Sequence, residues 1–218
     1  MSLVVFDCDG VLVDSERLAV EIDVRAITEL GWPITAAEVI ERHVGISEAD
    51  AIADIEAHLG RPVPGGWAES WAEAYLTAFA QSLEPVPGVT AAVQSLVERG
   101  YAVCVASSGS LAKIERSLRK TGLWPRFAGR SFSAAQVRRG KPAPDLFLHA
   151  ALAMGMDPSA CVVVEDSRHG VAAARAAGMA VVGYAGGITP AAQLADADQV
   201  ITDMADLLAA VARPAEGG

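Results

Sequence analysis

Four short runs of apolar residues in the sequence do not alternate with polar residues. Strands that are covered on both faces, as in a parallel sheet, show this pattern, whereas half-exposed strands alternate. The four runs are Leu3 to Phe6, Tyr101 to Ala106, Cys161 to Val164 and Ala180 to Gly183. Weaker runs at Arg130 to Phe132 and Gln199 to Ile201 indicate two further strands.

Segments with helical patterns lie between these runs. They are Val89 to Arg99, Leu111 to Thr121, Asp145 to Met154 and Arg168 to Ala177. Alternation of strand and helix is typical of βαβ units. We therefore predict an α/β fold with a doubly wound parallel sheet, and a last helix within the Ala-rich tail from Met204 onward.

The segment from residue 15 to residue 84 has no convincing strand and shows helical spacing. Thr35 and Glu38 form a capping box that predicts one helix start, and Ser47 and Trp67 mark two others. The Pro- and Gly-rich stretch 85–88 is typical of a linker. We predict an all-helical insertion over residues 15–84, within a core domain formed by residues 1–14 and 85–218.

The charge balance excludes some partners. The chain of 218 residues has 17 Lys and Arg against 27 Asp and Glu, a formal net charge of −10. Nucleic acids and anionic membrane surfaces bind clustered Lys and Arg, so we expect neither as a partner. We expect a monomer, with a homodimer as the alternative.

The three cysteines, Cys8, Cys104 and Cys161, are far apart and lie in apolar segments. An odd number of such residues indicates reduced, buried thiols of a cytosolic protein. The sequence has no apolar run of about 20 residues, and its start lacks the features of a secretory signal. We therefore expect a cytoplasmic location.

The first predicted strand is followed at once by two acids, Asp7 and Asp9, and then by Gly10. Residues two apart on an extended chain point to the same side. The carboxyl ends of strands are where open α/β sheets bind ligands. A solvated turn explains one Asp-Gly pair, but two acids directly after four apolar residues favour a functional site.

Glu165 and Asp166 follow the run Cys161 to Val164 in the same way. Parallel strands bring their carboxyl ends together, so three or four acids are expected to converge at one edge. Oxygen ligands of this kind favour Mg²⁺. The alternative is that Asp166 or Ser167 simply caps the helix that follows, and the two interpretations are compatible.

Two further segments gain meaning only in combination with these acids. Ser107 and Ser108 follow the second strand and precede a helix, whose N-terminus could bind an anion. Lys141 stands before two prolines at a predicted helix start and could balance nearby carboxylates. No P-loop, nucleophile-elbow or dinucleotide-binding motif occurs in the sequence.

Together these motifs resemble the haloacid dehalogenase superfamily, in the phosphatase and β-phosphoglucomutase branch with a small helical cap. The resemblance extends from Leu3 to about Leu208. Its first motif corresponds to residues 7–16, the second to Ser107 and the third to residues 141–145. The fourth corresponds to residues 165–167 with Gly170. The resemblance implies a Rossmann-like core with the helical insertion as its cap.

The resemblance also implies a mechanism and its residues. Asp7 would be the nucleophile that forms an aspartyl-phosphate, and Asp9 the general acid and base. Ser107 and Lys141 would hold the phosphoryl oxygens with the N–H groups of Cys8 and Ser108. Mg²⁺ would be bound by Asp7, the Asp9 carbonyl and Asp166, with Glu165 nearby. The expected activity is Mg²⁺-dependent hydrolysis of small phosphorylated metabolites, sugar phosphates among them.

Two alternatives stay open. Dehalogenases of the family have no acid at the position of Asp9, so phosphate chemistry is favoured. The mutases of the branch resemble this chain, but they carry a His and an Arg where Ala19 and Glu48 stand here. We therefore expect hydrolysis rather than phosphosugar isomerisation. A phosphometabolite-binding protein without catalysis is the second alternative.

Overall fold

The protein is described here by a computed structural model that covers residues 2–43 and 48–212, with residues 48–50 described by their backbone only. Internal contacts divide the chain into two compact units, one made of the residues up to Asp14 and from Glu84 onward, the other of Ser15–Leu83. Glu84 thus belongs to the first unit, where its carbonyl accepts a hydrogen bond of 2.9 Å from the Asp14 N–H.

The first unit contains one parallel sheet with the strand order β3-β2-β1-β4-β5-β6. Its strands are β1 (Leu3–Phe6), β2 (Ala102–Ser107), β3 (Ser131–Ser133), β4 (Cys161–Glu165), β5 (Ala180–Tyr184) and β6 (Gln199–Ile201). All the neighbouring pairs are parallel. The prediction of a doubly wound parallel α/β sheet is confirmed, including the two weaker strands.

The described ranges contain the predicted α-helices in the predicted order, together with one short helix that the sequence did not predict. They are α1 (Ser15–Glu29), α2 (Ala36–His43), α3 (Glu48–Leu59), α4 (Trp67–Ser82), α5 (Val89–Glu98), α6 (Leu111–Lys120), α7 (Trp124–Phe127), α8 (Asp145–Ala153), α9 (Arg168–Ala176) and α10 (Leu207–Ala212). Short 3-10 helices span Ala134–Gln136, Pro158–Ala160, Ala191–Leu194 and Met204–Asp206.

Helices cover both faces of the sheet. On one face, Val5 of β1 belongs to the apolar cluster that contains Phe147 of α8 and Val171 of α9. On the other face, Phe6 contacts Phe127 of α7 edge-on, with the ring centroids 6.0 Å apart. Two-sided burial explains why β1, β2, β4 and β5 are apolar along almost their whole length rather than at alternate positions.

All the regular secondary structure in the described part of the second unit is helical, and α1 packs against α2 and α4. The predicted capping box is present before α2. The Thr35 N–H donates to Glu38 Oε2 at 2.8 Å, and the Glu38 N–H donates to Thr35 Oγ1 at 3.3 Å. The predicted helix start at Ser47 lies outside the described residues, as does the stretch 44–47, and α3 is described from Glu48.

The chain differs from the sequence-based expectation mainly in short elements. Helix α7 has four residues with a proline in its first turn, too few for an apolar periodicity to show. The predicted terminal helix is present as α10, and residues 213–218 lie outside the described ranges. Among the helices of the described ranges, none has the length and apolar character needed to cross a bilayer.

Candidate active site

Strand β1 lies at the centre of the sheet, between β2 and β4. Phe6 is level with Val105 on one side and with Val164 on the other. The next residue, Asp7, still donates its N–H to the Val164 carbonyl at 3.0 Å. The chain adds β2 and β3 to one side of β1 and then β4 to the other, and such a switch point is where α/β sheets bind ligands.

The segment after β1 is held in a tight loop. Gly10 has a φ of 74°, a conformation that favours glycine. The Cys8 carbonyl accepts hydrogen bonds from the Leu12 and Val13 N–H groups at 2.9 and 3.0 Å, and the Gly10 N–H donates to the Val13 carbonyl at 2.9 Å. These backbone hydrogen bonds fix the loop that carries the side chains of Asp7 and Asp9.

Lys141 contacts two acids from neighbouring strands. Its Nζ donates to Asp7 Oδ1 at 2.6 Å and to Glu165 Oε1 at 2.5 Å. It also lies 5.1 Å from the centroid of the Phe147 ring. Burial alone would lower the pKa of Lys141, but the charges of Asp7 and Glu165 outweigh burial and raise it. Lys141 is therefore a charged ammonium in an almost fully enclosed place.

Glu165 uses both its carboxylate oxygens. Besides the Lys141 contact, its Oε2 accepts hydrogen bonds of 2.9 Å from the N–H and from the hydroxyl of Ser167. A Cβ on Gly170 would lie 1.8 Å from the Glu165 carboxyl carbon, so only glycine leaves room for this carboxylate. Ser167 caps α9, because its Oγ accepts the Gly170 N–H at 3.0 Å. Of the two predicted caps, Asp166 or Ser167, the structure has Ser167.

Asp7, Glu165 and Asp166 form a buried group of acids, whose ligand oxygens lie within 4.8 Å of one another. Three carboxylates and the Lys141 ammonium give two net negative charges, which a divalent cation would balance. Burial, together with the charge of Glu165, raises the pKa of Asp7 to about 7 although Lys141 opposes the shift. These residues therefore suit a hard divalent cation.

The Asp9 side chain does not belong to that group, and the expected contribution of Asp9 is its backbone carbonyl. Its Oδ2 instead accepts a hydrogen bond of 2.7 Å from Lys113 Nζ. Lys113 lies in the first turn of α6. Sequence reasoning missed this residue. The signal that could have found it is a cation at the positive end of a helix dipole, directly after the Ser-rich segment.

The three predicted phosphate-binding residues besides Lys141 lie at the ends of β1 and β2. Ser107 is buried, and its Oγ accepts the Gly109 N–H at 3.1 Å, while Ser108 is exposed. Cys8 lies between the two aspartates with its side chain buried, and burial raises the pKa of its thiol. The neighbouring Ser110 caps α6.

Curated relatives of the chain include several phosphatases. The 6-phosphogluconate phosphatase of Escherichia coli is 32% identical over 82% of this chain and 80% of its own. The fructose-1-phosphate phosphatase YqaB of Escherichia coli is 33% identical over 82% of this chain and 93% of its own. The chloroplastic protein SUPPRESSOR OF QUENCHING 1 of Arabidopsis thaliana is 35% identical, but the chain spans only 17% of that much longer protein.

Solved structures share the whole fold. A haloacid dehalogenase-like protein of unknown function from Agrobacterium tumefaciens is 36% identical, with a TM-score of 0.88 over 97% of this chain and 98% of its own. A HAD family hydrolase from Deinococcus radiodurans with bound phosphate and sodium is 28% identical. Its TM-score is 0.87 over 97% of this chain and 95% of its own. A β-phosphoglucomutase homologue from Thermotoga maritima is 26% identical, with a TM-score of 0.80 over 97% and 98%.

The model of one protein family matches the larger part of the sequence. Its description is haloacid dehalogenase-like hydrolase, and the match covers residues 1–178. That range includes each predicted site residue as well as Lys113. On these grounds, this chain belongs to the haloacid dehalogenase-like hydrolases.

Proposed function

We infer that this chain is a Mg²⁺-dependent phosphatase that hydrolyses monoesters of small phosphorylated metabolites. One observation carries the proposal: the buried carboxylate of Asp7, hydrogen-bonded to Lys141 at 2.6 Å, lies in one acidic group with Glu165 and Asp166. A nucleophile, a fixed cation and a place for a divalent cation are thereby joined at the carboxyl edge of a central strand. Phosphoryl transfer depends mainly on such positioning and charge balance.

In the proposed reaction, an oxygen of Asp7 attacks phosphorus. The new bond between this oxygen and phosphorus forms as the bond from phosphorus to the ester oxygen breaks, which leaves an aspartyl-phosphate. Water then attacks the same phosphorus and releases inorganic phosphate, and the carboxylate of Asp7 is regenerated. Lys141 reduces the repulsion between the anionic nucleophile and the anionic substrate.

Asp9 is the proposed proton carrier. It gives a proton to the departing ester oxygen in the first step and removes one from the attacking water in the second. An acid at this position serves phosphate esters, because an alkoxide is a poor leaving group without a proton.

The proposed phosphate contacts combine side chains and backbone. Ser107 accepts the Gly109 N–H, so its own hydroxyl proton can be donated to a phosphoryl oxygen. Lys141 would supply a charged donor, and the N–H groups of Cys8 and Ser108 would supply neutral ones. The Deinococcus radiodurans relative, which binds phosphate, supports phosphate as the ligand class.

Asp7 and Asp166 are the proposed Mg²⁺ ligands, with the Asp9 carbonyl and with Glu165 nearby. The bound cation would neutralise part of the phosphate charge and stabilise the charge that develops during transfer. Since both oxygens of Glu165 accept protein hydrogen bonds, its proposed part is to hold Lys141 and add negative charge.

Sugar phosphates are the proposed substrate class, since relatives named for 6-phosphogluconate and fructose 1-phosphate align with most of this chain. We also propose a cytoplasmic location and a monomeric state, with a homodimer as the alternative. We propose no nucleic-acid or membrane partner. The net charge of −10 supports the proposal that neither nucleic acids nor anionic membranes are partners.

A panel of phosphorylated metabolites incubated with the purified protein, with and without Mg²⁺, tests the proposal. We expect Mg²⁺-dependent release of inorganic phosphate, and Asp7→Asn should abolish it. Isomerised sugar phosphate without free phosphate would establish the mutase alternative. Metal binding without turnover of any phosphoester would indicate a binding protein.

A further inference from the structure

We propose that Lys113 determines specificity, by binding an anionic group that the leaving alcohol carries close to its ester oxygen. The favoured substrates would be phosphate monoesters of hydroxy acids, with a carboxylate two or three bonds from the ester oxygen. The inference rests on the proposed function, because it takes Asp9 as the residue that contacts the leaving oxygen.

The distance between Lys113 and Asp9 carries the argument. Lys113 Nζ lies 2.7 Å from Asp9 Oδ2. A general acid must approach the oxygen that it protonates to about 3 Å, so Lys113 Nζ lies within about 8 Å of the ester oxygen. A carboxylate two or three bonds away lies roughly 3–4 Å from that oxygen and needs about 3 Å more to reach a donor. The ammonium is therefore within reach of such a group when the ester oxygen lies on the Lys113 side of the Asp9 carboxylate.

The two lysines of the site differ in what they can still bind. Lys141 has a side chain only 6% exposed and donates to two carboxylates. The Lys113 side chain is 40% exposed, and Asp9 takes one of the three donors of its ammonium. Lys141 is thus enclosed against Asp7 and Glu165, whereas Lys113 is open to an incoming ligand.

The position of Lys113 in its helix adds a second argument. It is the third residue of α6, and its N–H donates to the capping hydroxyl of Ser110 at 3.3 Å. A cation in the first turn is disfavoured by the helix dipole, which places partial positive charge at the same end. Helix stability therefore does not explain a lysine here, while the binding of an anion gains from both charges.

Glycine at position 109 leaves space for this side chain. A Cβ there would lie 3.2 Å from Lys113 Cδ and 3.6 Å from Ser107 Oγ. The first distance is tighter than ordinary van der Waals contact, so a larger residue would push the Lys113 chain away. Gly109, which lies next to the proposed phosphate contacts, therefore packs close to the Lys113 side chain.

A matched pair of substrates tests the inference: 2-phosphoglycerate and glycerol 2-phosphate, which differ by a carboxylate in place of a hydroxymethyl group. For the wild type we expect kcat/KM to be about tenfold higher for 2-phosphoglycerate, as one charge-assisted contact warrants. Lys113→Met should bring the ratio close to one, mainly through a higher KM for 2-phosphoglycerate. Lys113→Arg should keep most of the preference.

Controls separate this inference from the proposed function. Arg116→Met removes an exposed cation from the same helix and should leave the ratio unchanged. Lys113→Gln keeps a donor and replaces the Met variant if that one does not fold. A wild type that hydrolyses both esters equally well, or a ratio that Lys113→Met does not change, overturns the inference alone. A wild type that releases no phosphate from any ester overturns the proposed function and the inference with it.

Discussion

Glu165 Oε1 accepts a hydrogen bond of 2.5 Å from Lys141 Nζ. This bond joins the last residue of β4 to the segment that precedes α8. The opposite oxygen of Glu165 is held by Ser167, which caps α9. The ammonium that contacts Asp7 is thereby fixed by a carboxylate that is itself fixed by a helix start. The position of Lys141 relative to the proposed nucleophile is thus set by contacts within the first unit alone.

Replacing Lys141 with methionine should reduce kcat for any phosphate monoester that the wild type hydrolyses by about 10²–10³-fold, the usual cost of losing one charged donor at a transition state. The variant also leaves Asp7 without the cation that opposes the rise of its pKa, so less of the nucleophile is ionised at pH 7. Steady-state kinetics measure the effect. Arg138→Met, an exposed cation in the same segment, is the control and should keep wild-type kcat.

Gly170→Ala should destabilise the core although the position is helical. Alanine normally gains up to about 1 kcal/mol over glycine inside a helix. Here the new methyl group would overlap the Glu165 carboxylate, and we expect a net loss of roughly 1–3 kcal/mol from overpacking. Because Lys141 depends on Glu165, kcat should fall as well. Urea unfolding and steady-state kinetics check the two effects.

Gly65→Ala is the matched substitution for this experiment. A Cβ at Gly65 meets nothing within 4 Å, and no left-handed conformation is found there. Its free energy of unfolding and kcat should stay close to wild type. If Gly170→Ala is as stable and as active as Gly65→Ala, the packing of Glu165 against this glycine does not constrain the site.

The arrangement of strands could be read from the sequence because burial on two faces leaves a clear trace. Each apolar run became a strand with its bounds shifted by one residue at most, including the weak run that became β3 (Ser131–Ser133). Helix α7 could not be predicted, because four residues with a proline carry no periodicity. Tertiary packing between longer elements sets its position.

The site was only partly accessible to sequence reasoning. Strand order brings Asp7, Glu165 and Asp166 to one edge, and this follows from a parallel sheet. The pairing of Lys113 with Asp9 joins residues 104 positions apart and depends on the direction of α6, which no local pattern reveals. The contact between Glu165 and Lys141 could not be predicted from the sequence either. A carboxylate at the end of a strand gives the same sequence pattern whether its partner is a metal ion or an ammonium group.

The three cysteine thiols should be unreactive in the folded protein. Each is buried, and burial raises the pKa of Cys8, Cys104 and Cys161. Since the thiolate is the reactive form, an aromatic disulfide reagent at pH 8 should label less than about one thiol over many minutes. In denaturant all three should react at once. Rapid labelling of the native protein would show that at least one thiol is open to solvent.

Mg²⁺ affinity should fall with pH below neutrality. Without a cation the pKa of Asp7 is raised to about 7, so a proton competes with Mg²⁺ for this carboxylate. Between pH 8 and pH 6 the dissociation constant should rise about tenfold, as a ligand with that pKa requires. Isothermal titration calorimetry measures it. Asp7→Asn should bind more weakly but without this pH dependence, and a wild-type affinity that is flat from pH 6 to 8 would contradict the role of Asp7.

The same ionisation should appear in the stability of the metal-free protein. The folded pKa of Asp7 lies above its ordinary value of 3.8, so the folded state binds this proton more tightly than the unfolded chain. The contribution of Asp7 to stability in EDTA is therefore full below about pH 4 and is lost as the pH rises towards 7. Saturating Mg²⁺ should restore stability above pH 7, where Asp7 is ionised.

Thermal unfolding of wild type and Asp7→Asn in EDTA isolates the contribution of Asp7 to stability, because the variant lacks the titrating group. Equal pH dependence of the two melting temperatures would mean that Asp7 does not titrate in this range.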